Sequence, residues 1–287
     1  AHCGSHLYVD GAKIQPKDMP GKYTYVASRN AIKLTEEPLS SDVSSKLIDI
    51  CRLPTWENPL SGDLLAGWLV IAPVSAALKD WRPHCWVTGE AESGKTTILN
   101  KIIKPALGDI SINVDGQTTE AAIRNAIGYD ARPIVFDEAE GKGKAKKAME
   151  DVLQLARACS SGASIRKFGR NTFVAKSCFC FSAINPPVKD FADETRISYM
   201  SLRKNIGPNA QEQYENMLAQ IEDLIDDKFY LRLFSRTYQN MNTLLHNIEL
   251  LKKVARKEIK GARAADQVGT MLGGFSLLKS TDKLTYE

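Results

Sequence analysis

The sequence has few of the features that mark secreted, metal-stapled or membrane-spanning proteins. Its 6 cysteines are scattered without a CxxC pair, which argues against a disulfide framework or a zinc ribbon and favours a reducing, cytosolic setting. The longest apolar run, Leu64–Leu78, is shorter than the ~20 residues that a bilayer span needs and contains Pro73, so it predicts a buried helix and no membrane partner. There is neither an initiator methionine nor a signal peptide, and we expect the chain to be part of a longer cytoplasmic protein.

Charge alone does not indicate a partner, because the net charge of the 287 residues is only +4. Lysines and arginines nevertheless cluster at 142–147, 166–170 and 252–263. Such clusters suit nucleic-acid phosphates and also suit a solvated surface, so both interpretations stay open. His2, Cys3 and His6 could together hold a metal, but an unstructured end or an added tail explains them more simply, and we expect no metal there.

The overall pattern is that of a globular α/β protein. Apolar residues make up 43% of the chain and charged residues 25%, which excludes wholesale disorder. Between Trp86 and Ile184 short apolar strands alternate with amphipathic helices, which predicts a mostly parallel sheet with flanking helices. We expect a small N-terminal strand and helix segment at 1–80, the α/β core at 81–205 and a C-terminal helical region at 206–287.

Local patterns predict three further elements. Ser164–Arg166 and Thr172–Val174 flank Gly169-Arg170 and so predict two short strands joined as a hairpin. Apolar residues from Tyr214 to Ile225 recur at helical spacing and predict one buried helix face. Leu231–Ala255 predicts a single further long helix.

The strongest motif is the segment from Gly89 to Thr96, which fits the GxxxxGK[ST] pattern at every position. A strand precedes it and a helix-compatible segment follows, so the backbone N–H groups of the loop would face phosphate oxygens at a helix N-terminus. Lys95 would neutralise the β- and γ-phosphates, and the Thr96 hydroxyl would bind Mg²⁺. A mere glycine turn is the alternative. The predicted phosphate-binding residues are Gly89, Glu90, Ala91, Glu92, Ser93, Gly94, Lys95, Thr96 and Thr97.

A second motif is the apolar segment 133–136, which ends in the adjacent acids Asp137 and Glu138. At the end of a strand near a phosphate loop, one carboxylate can enter the Mg²⁺ shell while the next faces the attacking water. We therefore expect Asp137 to bind the metal and Glu138 to activate water. The alternative is that both are surface acids at a strand end.

Two more polar residues follow the apolar strand at 178–184. Asn185 would lie between the phosphate loop and the acids, where its amide can orient water or the γ-phosphate, unless it serves only the following Pro-Pro turn. Arg196 would reach a neighbouring subunit's nucleotide as an arginine finger, with a surface salt bridge as the alternative and Arg203 as a second candidate. The predicted catalytic residues are Lys95, Glu138, Asn185 and Arg196.

With these motifs in this order, the chain resembles the AAA+ P-loop NTPases, and among them the superfamily-3-like helicase module of phage and prophage primase–helicase proteins. The resemblance implies ATP and Mg²⁺ as cofactors, single-stranded DNA as a partner, assembly into a ring (a hexamer) and a location in the cytoplasm of the bacterial host. It also makes a primase domain upstream in the full-length chain an expectation. The segments that carry it lie between about 64 and 275 and are Leu65–Pro73, Trp81–Gly89, Gly116–Arg124, Val135–Glu140, Ala156–Ser161 and Arg263–Gln267.

The resemblance also implies roles for particular residues. Asn185 would be the sensor of motif C, and Arg263 is a candidate sensor-2 residue, with a solvated helix start as its alternative. The hairpin at 164–174 would carry the DNA contacts in the central pore. The family's hairpin tip usually presents Lys or His, whereas Phe168-Gly169-Arg170 stands here, which leaves the contacting residue open. The candidates are Arg166, Lys167 and Arg170.

The sequence thus predicts an ATP-hydrolysing replicative DNA helicase module of a phage or mobile element, ring-forming and translocating on single-stranded DNA. Two alternatives stay open: an AAA+ ATPase that remodels or loads protein partners, and an ATP-dependent assembly module that does not unwind DNA. The 164–174 hairpin separates them. A motor on DNA needs cations that face the pore, whereas a remodeller favours an aromatic loop, for which Phe168 is available.

Overall fold

A computed structural model describes residues 2–3, 6–9, 12–19, 21, 34–35, 37–128, 130–139, 145–162, 164–166, 172–186 and 195–286. Over this part of the chain the strands form three sheets. In chain order the strands are β1 (His2–Cys3), β2 (His6–Val9), β3 (Ala12–Ile14), β4 (His84–Gly89), β5 (Ile112–Val114), β6 (Ile134–Phe136), β7 (Ser164–Arg166), β8 (Thr172–Val174), β9 (Phe179–Ser182) and β10 (Ile197–Leu202). Strands β1–β3 form a small antiparallel sheet, β7 and β8 form the predicted hairpin, and the other five form the central sheet.

The helices begin with α1 (Ser41–Arg52) and α2 (Leu60–Ile71). A continuous helical run from 95 to 107, called α3 below, changes type along its length: Lys95–Thr97 is α-helical, Ile98–Ile103 is a π-helix and Lys104–Leu107 is α-helical again. The remaining α-helices are α4 (Glu120–Ile127), α5 (Ala145–Ser161), α6 (Ala210–Leu224), α7 (Phe229–Gln239), α8 (Met241–Glu258) and α9 (Ala262–Lys279). Short 3₁₀ helices lie at Pro16–Asp18, Ala72–Ala77 and Gly108–Ile110.

The five strands of the central sheet all run parallel, in the order β10-β4-β9-β6-β5. Strands β6 and β9 are buried along their whole length, and β4 is buried up to its last residue, which is why these segments are near-continuous apolar runs. The prediction of an α/β fold with a parallel sheet and flanking helices is confirmed. Because the strands are parallel, all their carboxyl ends meet at one side of the sheet, called the carboxyl edge below.

Helices cover both faces of the sheet. On one face Val87 and Val135 pack with side chains of α1–α3 and α6–α9 in one continuous hydrophobic cluster. On the other face Trp86 and Phe181 stack with ring centroids 4.8 Å apart, in a cluster that includes α4 and α5. The sheet therefore forms a rigid layer between two apolar cores, and rigid strands position the groups at its carboxyl edge.

The apolar run noted in the sequence is a core helix here. Within the described residues one helical stretch, Leu60–Ala77, is long and apolar enough to cross a membrane, and 67% of it is buried inside the protein. Helix α2 packs so closely on α9 that a Cβ added to Gly67 would overlap the carbonyl oxygen of Met271, and one added to Gly274 would overlap that of Gly67. Glycine is needed at both positions because the two backbones touch.

One predicted element is wrong in its extent. The apolar periodicity of Leu231–Ala255 predicted a single helix, but the chain forms α7 and α8, which meet at Asn240. Asn240 has φ −105° and ψ 24°, outside the helical region, and its side-chain amide donates to the carbonyl oxygen of Arg236 at 2.9 Å. The periodicity continues across the break because both helices bury their apolar faces in the same cluster.

Candidate nucleotide-binding site

The loop after β4 has a conformation that its glycines permit. Gly89 and Gly94 have φ of 147° and 94°, values that residues with side chains rarely adopt. At Gly89 there is also no room for a side chain, since a Cβ there would lie 2.5 Å from the carbonyl oxygen of Leu202. The N–H of Ile98 donates to the carbonyl oxygen of Gly94 at 3.0 Å. The loop therefore leads from a buried strand directly into the N-terminus of α3, an arrangement that favours anions.

Lys95 folds back over this loop. Its Nζ donates hydrogen bonds to the backbone carbonyl oxygens of Gly89 at 2.8 Å and Glu90 at 2.6 Å. A cavity of about 270 Å³ opens beside it, lined by residues 92–97 and Tyr214. The ammonium group thus lies at the wall of a small, open cavity at a helix N-terminus, where phosphate groups are bound in other proteins.

A larger cleft adjoins this cavity. Its volume is about 520 Å³, within the usual range for small-molecule sites, and it shares residues 92–94 and Tyr214 with the smaller cavity. Tyr214 lies where the two meet, with its hydroxyl oxygen 3.1 Å from Thr97 Oγ1. Among the described residues, the walls combine apolar side chains and amides with the cation of Arg203 and the carboxylate of Glu92; they also include Leu53, Pro54, Met217, Asn205, Gln213 and Gln220.

The predicted acids follow β6 at the carboxyl edge. The N–H of Asp137 donates to the carbonyl oxygen of Val114 at 2.9 Å, which aligns the end of β6 with the end of β5. Asp137 Oδ2 lies 3.7 Å from Lys104 Nζ, and Asp137 Oδ1 accepts the N–H of Glu138 at 3.0 Å. The Asp137 carboxylate therefore faces a cation of α3, the helix that begins at the phosphate-type loop.

Glu138 has a strained backbone. Over the part of the chain that the structure describes, Glu92 and Glu138 are the two non-glycine residues with positive φ, at 62° and 55°. Both belong to the candidate site. Such conformations are unfavourable for residues with a Cβ and cluster at functional sites, where the surroundings hold them in place. At Glu138 the next residue is fixed by the hydrogen bond from the N–H of Ala139 to the carbonyl oxygen of Ser182, at 2.9 Å.

Asn185 follows β9, the strand between β4 and β6, and so lies at the same edge. Strand β9 pairs with β4 on one side and β6 on the other, so the residues after it lie between the loop and the acids. Thr88 Oγ1 donates to the carbonyl oxygen of Ile184 at 2.9 Å, which fixes the backbone next to Asn185. The Asn185 side chain is exposed. The topology therefore brings the loop, Asn185 and the two acids to one edge.

Arg196 lies at the opposite edge of the sheet. Ile197 is in register with His84 at the start of β4, whereas Leu202 is in register with Gly89 at its end. The five residue steps between them span about 17 Å of parallel strand. Arg196 is thus separated by the height of the sheet from the loop of its own chain. Arg203 follows Leu202 and lies on the loop's side, where it lines the larger cleft.

The hairpin that carries the predicted DNA contacts is described at its base. Ser164 pairs with Val174 and Arg166 with Thr172, as the sequence pattern predicted. Arg166 is therefore the last described residue on its strand before the tip, while Lys167 and Arg170 lie outside the described residues. Helix α5 runs from shortly after the acids to the start of this hairpin.

Three residues of the site region were missed by sequence reasoning. Lys104 pairs with Asp137, Lys204 pairs with Glu92, and Tyr214, predicted only as part of an apolar helix face, lies between the two cavities. Each partner lies far away along the chain, so no local spacing signals the pairing. Arg263, the candidate sensor-2 residue, is exposed at the start of α9.

His84 is a buried structural residue at the other end of β4. Its Nε2 lies 2.7 Å from the carbonyl oxygen of Ala156 and its Nδ1 accepts the N–H of Phe179 at 3.0 Å, so the ring joins α5 to β9. Burial, against an opposing contribution from the hydrogen bond to Ala156 and with smaller contributions from the positive charges of Arg196 and Arg82, lowers its pKa to about 4. The ring is neutral near pH 7, with its proton on Nε2.

The residues present fit a metal ion that is bound together with phosphate. Within the described ranges, no group of three or more His, Cys, Asp or Glu side chains could hold a metal by itself. Mg²⁺ bound to a nucleotide needs only one or two protein oxygen ligands, because phosphates and waters supply the rest. Thr96, exposed at the start of α3, and Asp137, at the end of β6, supply a hydroxyl and a carboxylate of this kind.

Comparison with known proteins finds distant structural likeness and no sequence family. No family model and no curated protein matches the sequence. The apo structure of the NrS-1 C-terminal region is similar over 92% of this chain and 70% of that chain, with 14% identity and a TM-score of 0.41. SCCmec type IV Cch, described as an active helicase, is similar over 95% of this chain and 53% of that chain, with 13% identity and a TM-score of 0.49. The chain spans about half the length of the latter, and likenesses at this level do not bear on its function.

Proposed function

We propose that the chain is the ATP-hydrolysing module of a replicative DNA helicase of a phage or mobile element, built as an AAA+-like P-loop NTPase. One observation carries the proposal. The GxxxxGKT loop, Asn185 and the acids Asp137 and Glu138 follow three adjacent strands, β4, β9 and β6, and so emerge together at the carboxyl edge of one parallel sheet. Open α/β sheets bind their ligands at this edge.

In this proposal the two cavities hold different parts of one nucleotide. The loop and Lys95 would hold the phosphates in the smaller cavity, and the base and sugar would occupy the larger cleft beside Tyr214. Thr96 and Asp137 would bind Mg²⁺, which neutralises charge on the transferring phosphoryl group when bound. The position of Asp137 supports this role, because it follows β6 at the same edge of the sheet as the loop.

Glu138 and Asn185 are proposed to act on the attacking water. Glu138 would accept the proton that the water loses, since it is the second acid at the strand end and the first is assigned to the metal. Its φ of 55° sets it apart from the extended residues of β6 that precede it. Asn185, exposed between the loop and the acids, would orient the water or the γ-phosphate by hydrogen bonding.

A ring of subunits, with six as the number that the resemblance implies, is part of the proposal. What supports it is the position of Arg196, which lies at the edge of the sheet opposite to its own loop. From there it could contact a nucleotide only in another subunit. We propose that it supplies charge to the transition state of the neighbour, as arginine fingers do.

Single-stranded DNA is proposed to contact the β7–β8 hairpin through Arg166, Lys167 and Arg170. Support comes from chain order: among the described residues, α5 is the helix that lies between Glu138 and the hairpin. A shift of α5 on hydrolysis would therefore move the hairpin and the DNA with it.

The chain would act in the cytoplasm of the bacterial host.

Binding and turnover of ATP by two variants test the site. Lys95→Ala should lose both, because the phosphate-binding cation is removed. Glu138→Gln should bind ATP as the wild type does while its turnover falls about a hundredfold or more, the usual contribution of a positioned base. Glu258→Gln, which neutralises an exposed acid at the end of α8, is the matched control and should be unaffected. Full turnover by Lys95→Ala would refute the assigned site.

The two alternative functions, an ATPase that remodels or loads protein partners and an ATP-dependent assembly module, would use the same nucleotide site but would not need the hairpin cations. Reversing charge at Lys167 and Arg170 therefore separates them from the helicase. We expect this variant to lose the stimulation of turnover by DNA and to retain basal turnover. Equal loss of both rates would contradict a DNA-contacting role and indicate a folding or nucleotide-site role instead.

A further inference from the structure

The loop proposed to hold phosphate carries two carboxylates of its own. Glu90 and Glu92 are both exposed, and Glu92 adopts a positive φ of 62° within the loop. A negative side chain next to an anionic ligand repels it, and the repulsion is long-range at low salt. A loop with this sequence therefore needs a nearby positive charge besides Lys95 if it is to bind polyphosphate well.

Lys204 supplies such a charge. Its Nζ forms a hydrogen-bonded ion pair with Glu92 Oε2, with the two side chains 45% and 77% exposed. The pKa of Glu92 is lowered by this contact and the pKa of Lys204 is raised by it, with a further upward contribution from the charge of Glu90. Lys204 is thus paired with Glu92 and lies within the electrostatic influence of Glu90.

The backbone that carries Lys204 is fixed next to the loop. Leu202, the last residue of β10, is in register with Gly89, the last residue of β4. The N–H of Arg203 donates to the carbonyl oxygen of Thr55 at 2.8 Å, which ties the other side of the segment to the chain before α2. The placement of Lys204 therefore follows from the sheet and does not depend on a loose loop.

We propose that Lys204 is a positioning residue of the nucleotide site, which pairs with Glu92 to neutralise the acidic loop and so raises its affinity for polyphosphate. The inference rests on the proposed function, because it assumes that the loop binds phosphate. It adds a residue that acts through Glu92 and does not itself contact the ligand. Removal of Lys204 should therefore be harmful only while Glu92 is present.

A double-mutant cycle tests this proposal. The affinities for ATP and for inorganic tripolyphosphate, which has no base, are measured by calorimetry at one fixed low salt concentration. The variants are Lys204→Ala, Glu92→Ala, the double variant and Lys204→Arg. Lys101→Ala is the matched control, since it removes an exposed lysine of α3 that pairs with Glu222 at 3.1 Å. Thermal unfolding of each variant establishes that it is folded.

The expected pattern is specific to a role through Glu92. Lys204→Ala should weaken both ligands about 1.5- to fivefold, in the range of a lost exposed charge interaction. Glu92→Ala removes the carboxylate but keeps the backbone N–H groups that the loop offers to phosphate, so it should bind at least as tightly as the wild type. The double variant should regain wild-type affinity. Lys204→Arg should bind like the wild type, and raising the salt should shrink the defect of Lys204→Ala.

Two outcomes would overturn the inference. Unchanged affinity of Lys204→Ala would show that the loop does not need the charge. A double variant as weak as Lys204→Ala would show that Lys204 contacts the ligand directly. Either result, obtained with normal binding by the wild type, leaves the proposed function standing. A wild-type chain that binds neither ligand would instead overturn the proposed function and this inference with it.

Discussion

Gly116 and Glu138 are in backbone contact at the carboxyl edge: a Cβ on Gly116 would lie 2.5 Å from the carbonyl oxygen of Glu138. The turn after β5 thus presses against the one residue of the acid pair that has a left-handed backbone. The contact explains how the strained conformation is held, since surrounding structure must over-determine such a residue. Gly116 therefore belongs to the machinery that positions the proposed base.

Substituting Gly116 by alanine should displace Glu138 without touching the phosphate loop. We expect turnover to fall about a hundredfold, the usual effect of a displacement of about 1 Å in a catalytic group, with ATP affinity close to that of the wild type. Calorimetric ATP binding and steady-state hydrolysis measure the two quantities. Retained turnover in a folded Gly116→Ala chain would show that the position of Glu138 does not matter for hydrolysis.

Stability should decrease in mild acid because of His84. Its folded pKa of about 4 lies below the ordinary value of 6.5, so the unfolded chain binds a proton more readily than the folded chain. The contribution is fully present above pH 6.5 and is lost as the pH falls towards 4, by about 3 kcal/mol in total. Urea unfolding between pH 7 and pH 4 measures it. His246→Gln, which removes an exposed histidine, is the control, and its free energy of unfolding should depend on pH as that of the wild type does. If His84→Gln also kept the wild-type dependence on pH, the assignment to His84 would be contradicted.

Position 67, where α2 touches α9, should not tolerate any residue larger than glycine. Gly67→Ala forces a Cβ into the carbonyl of Met271, and overpacking of this kind destabilises by about 2 kcal/mol. We expect a fall in Tm of about 4–8 °C for a chain of this size. Gly207→Ala is the control, because a Cβ there meets only the side-chain oxygen of Asn205 at 3.4 Å. Equal Tm values for the two variants would show that the helices can separate freely.

Arg196 should act only on a neighbouring subunit. Arg196→Ala and Lys95→Ala should each lose turnover, the former by about a thousandfold. When the two are mixed, an intact loop in one subunit can meet an intact Arg196 from the other, so hydrolysis should partly recover. Each variant assayed alone, at the same total protein concentration as the mixture, is the control. Failure to recover, in rings shown by fluorescence energy transfer between differently labelled subunits to have mixed, would contradict a role in a neighbouring subunit.

The sequence was sufficient for four strands of the central sheet, β4, β5, β6 and β9, and for the residues that follow three of them. The fifth strand, β10, was not predicted. Strands β6 and β9 are apolar runs of the kind that is buried on both faces, and the loop motif follows the apolar pair Trp86-Val87 of β4. In a parallel sheet the residues that follow the strands must share an edge. The sequence alone therefore predicted that Asp137 and Asn185 lie at the same edge of the sheet as the loop. The hairpin at 164–174 was predicted in the same way, from strand patterns on either side of a glycine.

What could not be predicted depends on contacts between distant parts of the chain. Lys204 meets Glu92 only because β10 pairs with β4, and Tyr214 meets Thr97 only because α6 packs beside α3. A surface lysine and a helix tyrosine carry no local signal of either contact. The break at Asn240 was missed for a related reason, since the apolar stripe continues through it.

The central claim, that this chain is a DNA-driven ATPase, is tested most directly by its rate of ATP hydrolysis with and without single-stranded DNA. Both rates are measured at one moderate salt concentration, because phosphate contacts weaken with salt. A DNA-driven motor predicts saturable stimulation of a rate that Lys95→Ala abolishes. A rate that is sensitive to Lys95→Ala but indifferent to DNA at every concentration would contradict the helicase account, and would leave an ATPase that acts on another partner.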